Sequence, residues 1–245
     1  MKLIILFSLT VILISWNEVH AVTGGYEASL GQFPWHVIIY GWEKDRKTRI
    51  CGGSIIDPKW VLTAASCIGQ SSKVIISAGR VDIKDHNQGM DYRAEASDII
   101  LHSGFENRGF QNNIALIRVN ETIAFNNYVH AVELETEMLS FVGELVTVTG
   151  FGALNDDKDY ESSDILQYAE LDVQSLDECR KYYSTNLVND KKLCVSGYDG
   201  ISACNGDNGG ALVIADTNKQ VAIFSNGRKA CTKGYPTLWT RILDG

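Results

Sequence analysis

Basic residues are in the minority in this sequence, with 22 lysines and arginines against 30 aspartates and glutamates and a formal net charge of −8. Nucleic acids and anionic membranes attract basic surfaces, so this charge balance argues against either partner. Prolines are also few, three in all. No two cysteines show Cys-x-x-Cys spacing and none has a histidine beside it, which argues against a zinc site. We therefore expect no metal ion and no other cofactor.

No apolar run is long enough to predict a membrane span. The run at residues 3–14 follows Lys2 and is short for a transmembrane helix. A basic residue before such a run, with Val19-His20-Ala21 after it, is typical of a secretory signal peptide. We predict that residues 1–21 are this signal peptide and that cleavage after Ala21 releases a secreted chain. Residues 22–245 would then form one domain.

Short apolar, β-branched runs separated by clusters of glycine, asparagine and aspartate predict strands. Their spacing favours an all-β sandwich or barrels over strands that alternate with helices. One short helix is predicted within residues 175–184. The predicted strands lie at residues 35–40, 54–57, 73–78, 115–119, 145–150, 166–173, 212–215 and 221–225.

A glycine-rich loop, Gly206-Asp207-Asn208-Gly209-Gly210, stands between Cys204 and an apolar run. Its glycines allow a tight turn that aims successive N–H groups at one point, as an oxyanion hole requires. The loop nevertheless lacks a nucleophile. Asn208 is an amide and has no proton that a neighbouring base could remove to create an attacking atom.

This loop resembles the Gly-Asp-Ser-Gly-Gly of the trypsin-like serine peptidases, with Asn208 in place of serine. Two more motifs occur upstream in the family's order. Residues 61–67 resemble the segment that ends in Thr-Ala-Ala-His-Cys, with Ser66 in place of the histidine. Residues 113–117 resemble Asp-Ile-Ala-Leu, with Asn113 in place of the aspartate. The resemblance therefore implies a degenerate triad, Ser66, Asn113 and Asn208, and no enzymatic activity.

The resemblance also implies a fold: two packed six-stranded antiparallel β-barrels with the site between them. Active relatives end in a helix beyond a segment like residues 236–241, and we expect this helix to be missing here. Six cysteines in a secreted chain indicate disulfides, and composition alone permits 15 pairings. The family layout selects Cys51 with Cys67, Cys179 with Cys194, and Cys204 with Cys231.

In active relatives the new N-terminus inserts beside the aspartate that precedes the nucleophile. Val22-Thr23-Gly24-Gly25 resembles the terminus that active relatives expose by cleavage, although no arginine or lysine precedes Val22. We expect signal-peptide removal itself to free the α-amino group of Val22 for Asp207. Removal of one partner of such a buried pair costs about 3–5 kcal/mol, so retention of both predicts an ordered oxyanion loop.

The positions that form the specificity pocket in the family are altered as well. Ser202 stands where trypsins have aspartate, which leaves no carboxylate for a basic substrate side chain. Thr237 replaces a frequent glycine of the pocket wall and would narrow the entrance. Ser225-Asn226-Gly227 resembles Ser-Trp-Gly without its tryptophan. Drift after loss of selection and a new ligand preference explain these changes equally well.

Three further segments complete the sequence predictions. Residues 155–164 carry five acidic side chains against Lys158 and form either a solvated face or an epitope for a basic partner. Asn120-Glu121-Thr122 is an N-glycosylation pattern. The loop after Gly79 begins with Arg80 and lacks the acidic ligands of a calcium site.

These observations favour a secreted, inactive serine protease homologue that acts as a monomeric binding or decoy module for a protein partner. The mite group 3 trypsin-like allergens and their inactivated paralogues are the subgroup it resembles, which implies interference with a host defence cascade such as complement. One alternative is an active peptidase with displaced residues, for which four histidines are available: His36, His86, His102 and His130. Another alternative is a peptidase inhibitor.

Overall fold

The computed structural model describes residues 22–43, 46–154, 162–198, 200–228 and 230–243. Strands make up nearly all of the regular structure in these residues. They are accompanied by two short α-helices, α1 (Ala65–Ile68) and α2 (Leu176–Arg180), and by two 3₁₀ turns, Ala96–Asp98 and Cys231–Lys233. The strands in chain order are β1 (Tyr26–Glu27), β2 (His36–Glu43), β3 (Arg46–Asp57), β4 (Trp60–Thr63), β5 (Lys73–Ala78), β6 (Met90–Glu95), β7 (Ile99–Leu101), β8 (Ala115–Arg118), β9 (Glu133–Leu134), β10 (Leu145–Gly150), β11 (Gln167–Gln174), β12 (Lys192–Val195), β13 (Ala211–Ile214), β14 (Lys219–Asn226) and β15 (Thr237–Arg241).

The N-terminal sheet has seven strands in the order β6, β5, β2, β3, β4, β8 and β7. All of its pairings are antiparallel. Its core is rich in isoleucine because β-branched side chains fill the inner face of a strand well. Four of these isoleucines, on β2, β3, β5 and β8, are at most 1% exposed: Ile39, Ile55, Ile76 and Ile117. Burial of each contributes about 1.5–3 kcal/mol.

The C-terminal sheet closes on itself. Strand β11 pairs with both β10 and β12, so β11, β10, β13, β14, β15 and β12 form a six-stranded ring, while β1 and β9 pair at its margins. Alternate residues point inward, as the two-residue period of a strand requires. The core of this barrel includes Val148, Leu171, Leu212, Phe224 and Trp239.

The all-β prediction is confirmed, with one difference between the two halves. The C-terminal half is the predicted closed barrel of six strands. The N-terminal half is an open half-barrel of seven strands in the described chain, because β6 pairs only with β5 and β7 only with β8. Strand β15 ends at Arg241, and residues 242–243 add no helix.

The three predicted disulfides are confirmed. They join Cys51 to Cys67, Cys179 to Cys194, and Cys204 to Cys231. The first fastens α1 to β3, the second fastens α2 to β12, and the third closes the loop that carries Asn208 onto the segment before β15. Over the part of the chain that the structure describes, no helix has the length and hydropathy to cross a bilayer.

Polar contacts join the two sheets and define the cleft between them. The Ser54 hydroxyl donates to Gln220 Oε1 at 2.7 Å, and His36 Nδ1 lies 2.9 Å from Thr149 Oγ1. Gly52 N–H donates to the carbonyl oxygen of Asn208 at 2.8 Å. The loop of Asn208 is therefore held by both halves of the molecule.

Candidate functional site

The glycine-rich loop, which follows β12 and precedes β13 in the chain, turns into the cleft. Gly206 and Gly209 have φ angles of +101° and +84°, a conformation that glycine adopts without steric cost. Gly209 N–H donates to the carbonyl of Phe224 at 2.9 Å, which ties the loop to β14. Asn208 Nδ2 reaches the carbonyl of Ser225 on the same strand at 3.4 Å. The amide of Asn208 thus lies against strand β14 of the cleft.

Asn113 lies just before β8 and is fully buried. Its Oδ1 accepts the backbone N–H of Ser66 at 2.8 Å, and its Nδ2 donates to Ser225 Oγ at 3.2 Å. Asn208 Nδ2 bonds to the backbone carbonyl oxygen of the same serine. The structure therefore places Asn113 and Asn208 on Ser225 and joins Ser66 to Asn113 through its backbone N–H. A carboxylate at position 113 could not donate the bond that the Asn113 amide gives to Ser225.

The backbone of the loop keeps two N–H groups available. Gly206 and Asn208 have no N–H acceptor in the described chain, whereas Asp207 N–H, between them, donates to Cys204 O at 3.1 Å. Alternate free N–H groups are the donors that an oxyanion hole presents to a carbonyl oxygen or a carboxylate. These two N–H groups are therefore candidate donors for such an oxygen.

Asp207 is buried directly behind the loop. Its two carboxyl oxygens accept N–H bonds from Gly152 and Cys204, both at 2.8 Å. Glycine is required at positions 150 and 152, because a Cβ there would lie 1.8 Å and 2.6 Å from the carboxyl group. Burial raises the pKa of Asp207 to about 7, and the two N–H bonds offset only part of this effect.

Val22 begins the described chain and is 0% exposed in the barrel core. Ser202 N–H donates to Thr23 O at 3.2 Å, and the Thr23 hydroxyl reaches Ala153 O at 3.4 Å. The segment that starts at Val22 therefore lies along the same loops that hold Asp207. The φ angle of Val22, +40°, is a steric outlier for a β-branched residue. A chain that began at Val22 would have no φ angle there and would be free of this strain.

The predicted pocket positions lie together on the C-terminal barrel. The Ser202 hydroxyl is buried and lies 3.1 Å from the Cys231 carbonyl. Thr237 Oγ1 accepts the Trp239 indole N–H at 2.9 Å, and its methyl group would lie 3.3 Å from a Cβ built at Gly227. Both hydroxyl groups are therefore engaged within the fold.

Two cavities flank the degenerate triad. One of about 220 Å³ is lined by Asn208, Asn226, Gly227, Phe110 and Arg228 among others. A second of about 410 Å³ opens beside Ser66. Space for a ligand thus remains beside Asn208 and, separately, beside Ser66.

None of the four histidines noted in the sequence has a hydrogen bond to a triad position in the described chain. His36 is buried between the sheets, and desolvation lowers its pKa to about 4. His102 Nδ1 accepts the N–H of Gly104. His130 packs against Phe125 with ring centroids 4.8 Å apart. His86 is exposed.

Two neighbours of the site were missed by sequence reasoning. Lys192 is 1% exposed, and its Nζ donates to Phe110 O at 2.7 Å and to Ser225 Oγ at 3.0 Å. Phe110 in turn lines the smaller cavity with a φ of +51°. From sequence alone, two consecutive lysines such as Lys191 and Lys192 are expected to be exposed to solvent. Only the two-residue spacing of Lys192 from Cys194 hints that the second lysine faces inward.

The remaining surface predictions have mixed outcomes. Residues 155–161 of the predicted acidic segment lie outside the described residues, while Asp164 forms an ion pair with Lys84. Asn120 is exposed directly after β8, where a glycan could be attached. No group of three or more His, Cys, Asp or Glu side chains suited to a metal ion occurs in the described ranges.

Comparisons with known proteins agree with this architecture. The family model for trypsin matches residues 22–244. The chain is 31% identical over 229 residues to a collagenase of Hypoderma lineatum, covering 90% of this chain and 83% of the relative. It is 29% identical to trypsin-1 of Astacus astacus, covering 90% and 95%. The solved structure of HL collagenase superposes with a TM-score of 0.79 at 29% identity, covering 91% of this chain and 94% of that chain.

The fold, the disulfides and the family match together define a trypsin-like serine protease homologue. The chain belongs to the trypsin family.

Proposed function

We propose that this chain is a secreted, catalytically inactive member of the trypsin family that acts as a binding or decoy module. The observation that carries the proposal is the set of contacts by which Asn113 and Asn208 bond to Ser225 while Asn113 also holds the backbone N–H of Ser66. None of these three side chains can take or give the proton that acyl transfer requires near neutral pH. Loss of the nucleophile or the base alone removes about 10⁶ in rate.

The retained cleft supports a binding role. The N–H groups of Gly206 and Asn208, which have no acceptor among the described residues, can donate to a carbonyl oxygen of a bound chain. Cavities beside Asn208 and beside Ser66 provide room for side chains of a bound partner. A net charge of −8 favours a partner with a basic face. We infer a protein partner of the kind that active trypsin-like proteases engage, within a host proteolytic defence cascade such as complement.

The first experiment tests inactivity. The protein from Val22 onward is incubated with a fluorogenic peptide library and with a serine-directed phosphonate probe, beside an active trypsin. We expect neither turnover nor labelling. Turnover that persists after purification and survives substitution of Asn208 by alanine would establish displaced machinery and contradict the proposal.

The second experiment separates a decoy from an inhibitor. A trypsin-like protease of the cascade cleaves its protein substrate or a short chromogenic peptide while this chain is added in increasing amounts. A decoy that binds the substrate slows cleavage of the protein alone, whereas an inhibitor slows cleavage of both. We expect the first result, weakened by Phe110→Ala in the cleft and unchanged by Phe125→Ala, which alters an exposed ring elsewhere. No effect on either substrate would overturn the decoy role.

A further inference from the structure

Lys192 is a buried lysine that the proposed function does not use. Its Nζ has three hydrogen-bond acceptors, all neutral oxygens: Phe110 O at 2.7 Å, Thr240 Oγ1 at 2.8 Å and Ser225 Oγ at 3.0 Å. No carboxylate contacts it in the described chain. Burial lowers the pKa of this ammonium to about 7. The three acceptors match the three donors of an ammonium group, which favours the charged form.

Ser225 connects this ammonium to the degenerate triad. Its hydroxyl oxygen accepts both Lys192 Nζ and Asn113 Nδ2, at 3.0 Å and 3.2 Å. Asn113 Oδ1 in turn accepts the backbone N–H of Ser66. One hydroxyl group therefore separates the lysine from the position at which a working triad holds its carboxylate.

We propose that Lys192 is a second electrostatic block on this site, independent of the substitutions at 66, 113 and 208. This inference rests on the proposed function and deepens it. A carboxylate placed at position 113 would receive the Ser225 O–H, and the same hydroxyl would still accept Lys192 Nζ. The positive charge of the ammonium would then offset the negative charge of the carboxylate, with the Ser225 hydroxyl between the two groups.

The consequence concerns the base of a restored triad. The carboxylate of a working triad stabilises the imidazolium that forms when histidine takes the proton of serine. A cation close to that carboxylate opposes this effect and lowers the pKa of the histidine. A histidine at position 66 would thus be a weaker base here than the triad geometry alone suggests. Repair of the three positions would leave the site far from full activity.

The test uses the whole chain from Val22 onward in two backgrounds. S66H/N113D carries the base and the carboxylate without a nucleophile, and the pKa of the new imidazole at position 66 is followed by NMR. S66H/N113D/N208S adds the nucleophile, and hydrolysis of a peptide ester is measured. Each background is combined with Lys192→Met, Lys192→Gln, Lys192→Arg or Lys191→Met.

We expect the neutral substitutions of Lys192 to raise the histidine pKa by about one unit and the rate by about tenfold. Lys192→Arg keeps the charge and should resemble its parent. Lys191→Met removes the same charge one residue away, where the lysine contacts Asn112 outside the core, and should also resemble its parent. Lys192→Gln removes the charge but keeps an N–H donor for Phe110 O. It therefore distinguishes the effect of the charge from the effect of losing the bond to Phe110.

The inference would be overturned if, in the S66H/N113D background, the histidine pKa were the same with Lys192 retained as after Lys192→Gln or Lys192→Met. The NMR measurement needs no activity, and Lys192→Gln remains available where Lys192→Met does not fold. Hydrolysis by the unaltered chain in the same assay would refute the proposed function instead. The two failures are therefore distinguishable.

Discussion

Asp207 is a single residue whose buried carboxyl group makes the stability of the fold depend on pH. Burial gives its carboxyl group a pKa of about 7, above its ordinary value of 3.8. A carboxyl whose pKa is higher in the folded state stabilises the fold below the unfolded pKa. That contribution is lost as the pH rises through the folded pKa. A chain with no cation beside Asp207 should thus lose stability between about pH 4 and pH 7.

This gives a prediction for the N-terminus. If the α-amino group inserts as expected, a chain that begins at Val22 has a protonated amine near Asp207, whereas a chain extended by one alanine does not. We expect urea unfolding to show nearly equal stability near pH 4, and an advantage of a few kcal/mol for the Val22 chain at pH 7, since each pKa unit represents about 1.4 kcal/mol. Asp207→Asn in both chains should abolish the pH-dependent difference. The same pH profile for all four proteins would exclude insertion of the amine.

Residues also mark the limit of prediction from sequence. Ser66, Asn113 and Asn208 could be located because each lies within a short motif whose neighbours are retained. Lys192 could not, because its role depends on three oxygens from residues 110, 225 and 240, which come together only in the folded chain. A lysine is expected at the surface unless its partners are known.

Among the elements, the strands with strong β-branched patterns were predicted well. Both ends of β5 and of β10 agree with the sequence prediction, and the short helix at 175–184 contains α2. Strand β6 was missed because Met90, Asp91, Arg93 and Glu95 are exposed at the edge of the sheet, so apolar residues do not mark it. Strand β12 was missed because it starts with a lysine that the fold buries.

The disulfide between Cys204 and Cys231 fastens the glycine-rich loop to the segment before β15. It closes 27 residues, which the chain-entropy model values at about 3–4 kcal/mol. Cys204→Ser with Cys231→Ser should lower the free energy of unfolding by about this amount and increase hydrogen exchange at Gly206 and Asn208.

The matched control is Cys179→Ser with Cys194→Ser, which opens a loop of 15 residues that does not include the glycine-rich loop. We expect a similar loss of stability, about 3 kcal/mol, but unchanged hydrogen exchange in the glycine-rich loop. Equal exchange at Gly206 in both double variants would show that the disulfide does not order the loop.

At the scale of the molecule, the cleft is a product of two sheets that approach each other closely. Sequence motifs predicted which residues meet there but not that one sheet closes into a ring and the other stays open. Closure depends on the pairing of β11 with β12, strands whose register is fixed by tertiary contacts. The family resemblance therefore predicted the architecture more fully than the residue patterns did.

At Gly209 the glycine-rich loop approaches the N-terminal sheet closely enough for the contact to be tested. A Cβ at this position would lie 2.2 Å from Thr63 Oγ1 and 2.6 Å from Gly52 O, both on the N-terminal sheet. Gly209→Ala must separate the sheets or move the loop. We expect a loss of about 3 kcal/mol or more in the free energy of unfolding, together with weaker binding of any ligand in the cleft.

Gly143 provides the control for the backbone cost of such a change. It has a φ of +89°, similar to the +84° of Gly209, but nothing lies within 4 Å of its Cβ position. Gly143→Ala should cost only the left-handed conformation, about 1–2 kcal/mol. An equal loss for both variants, measured by urea unfolding, would mean that the sheets do not depend on close contact at Gly209. A larger loss for Gly209→Ala alone would show that the cleft and the stability of the fold share one contact.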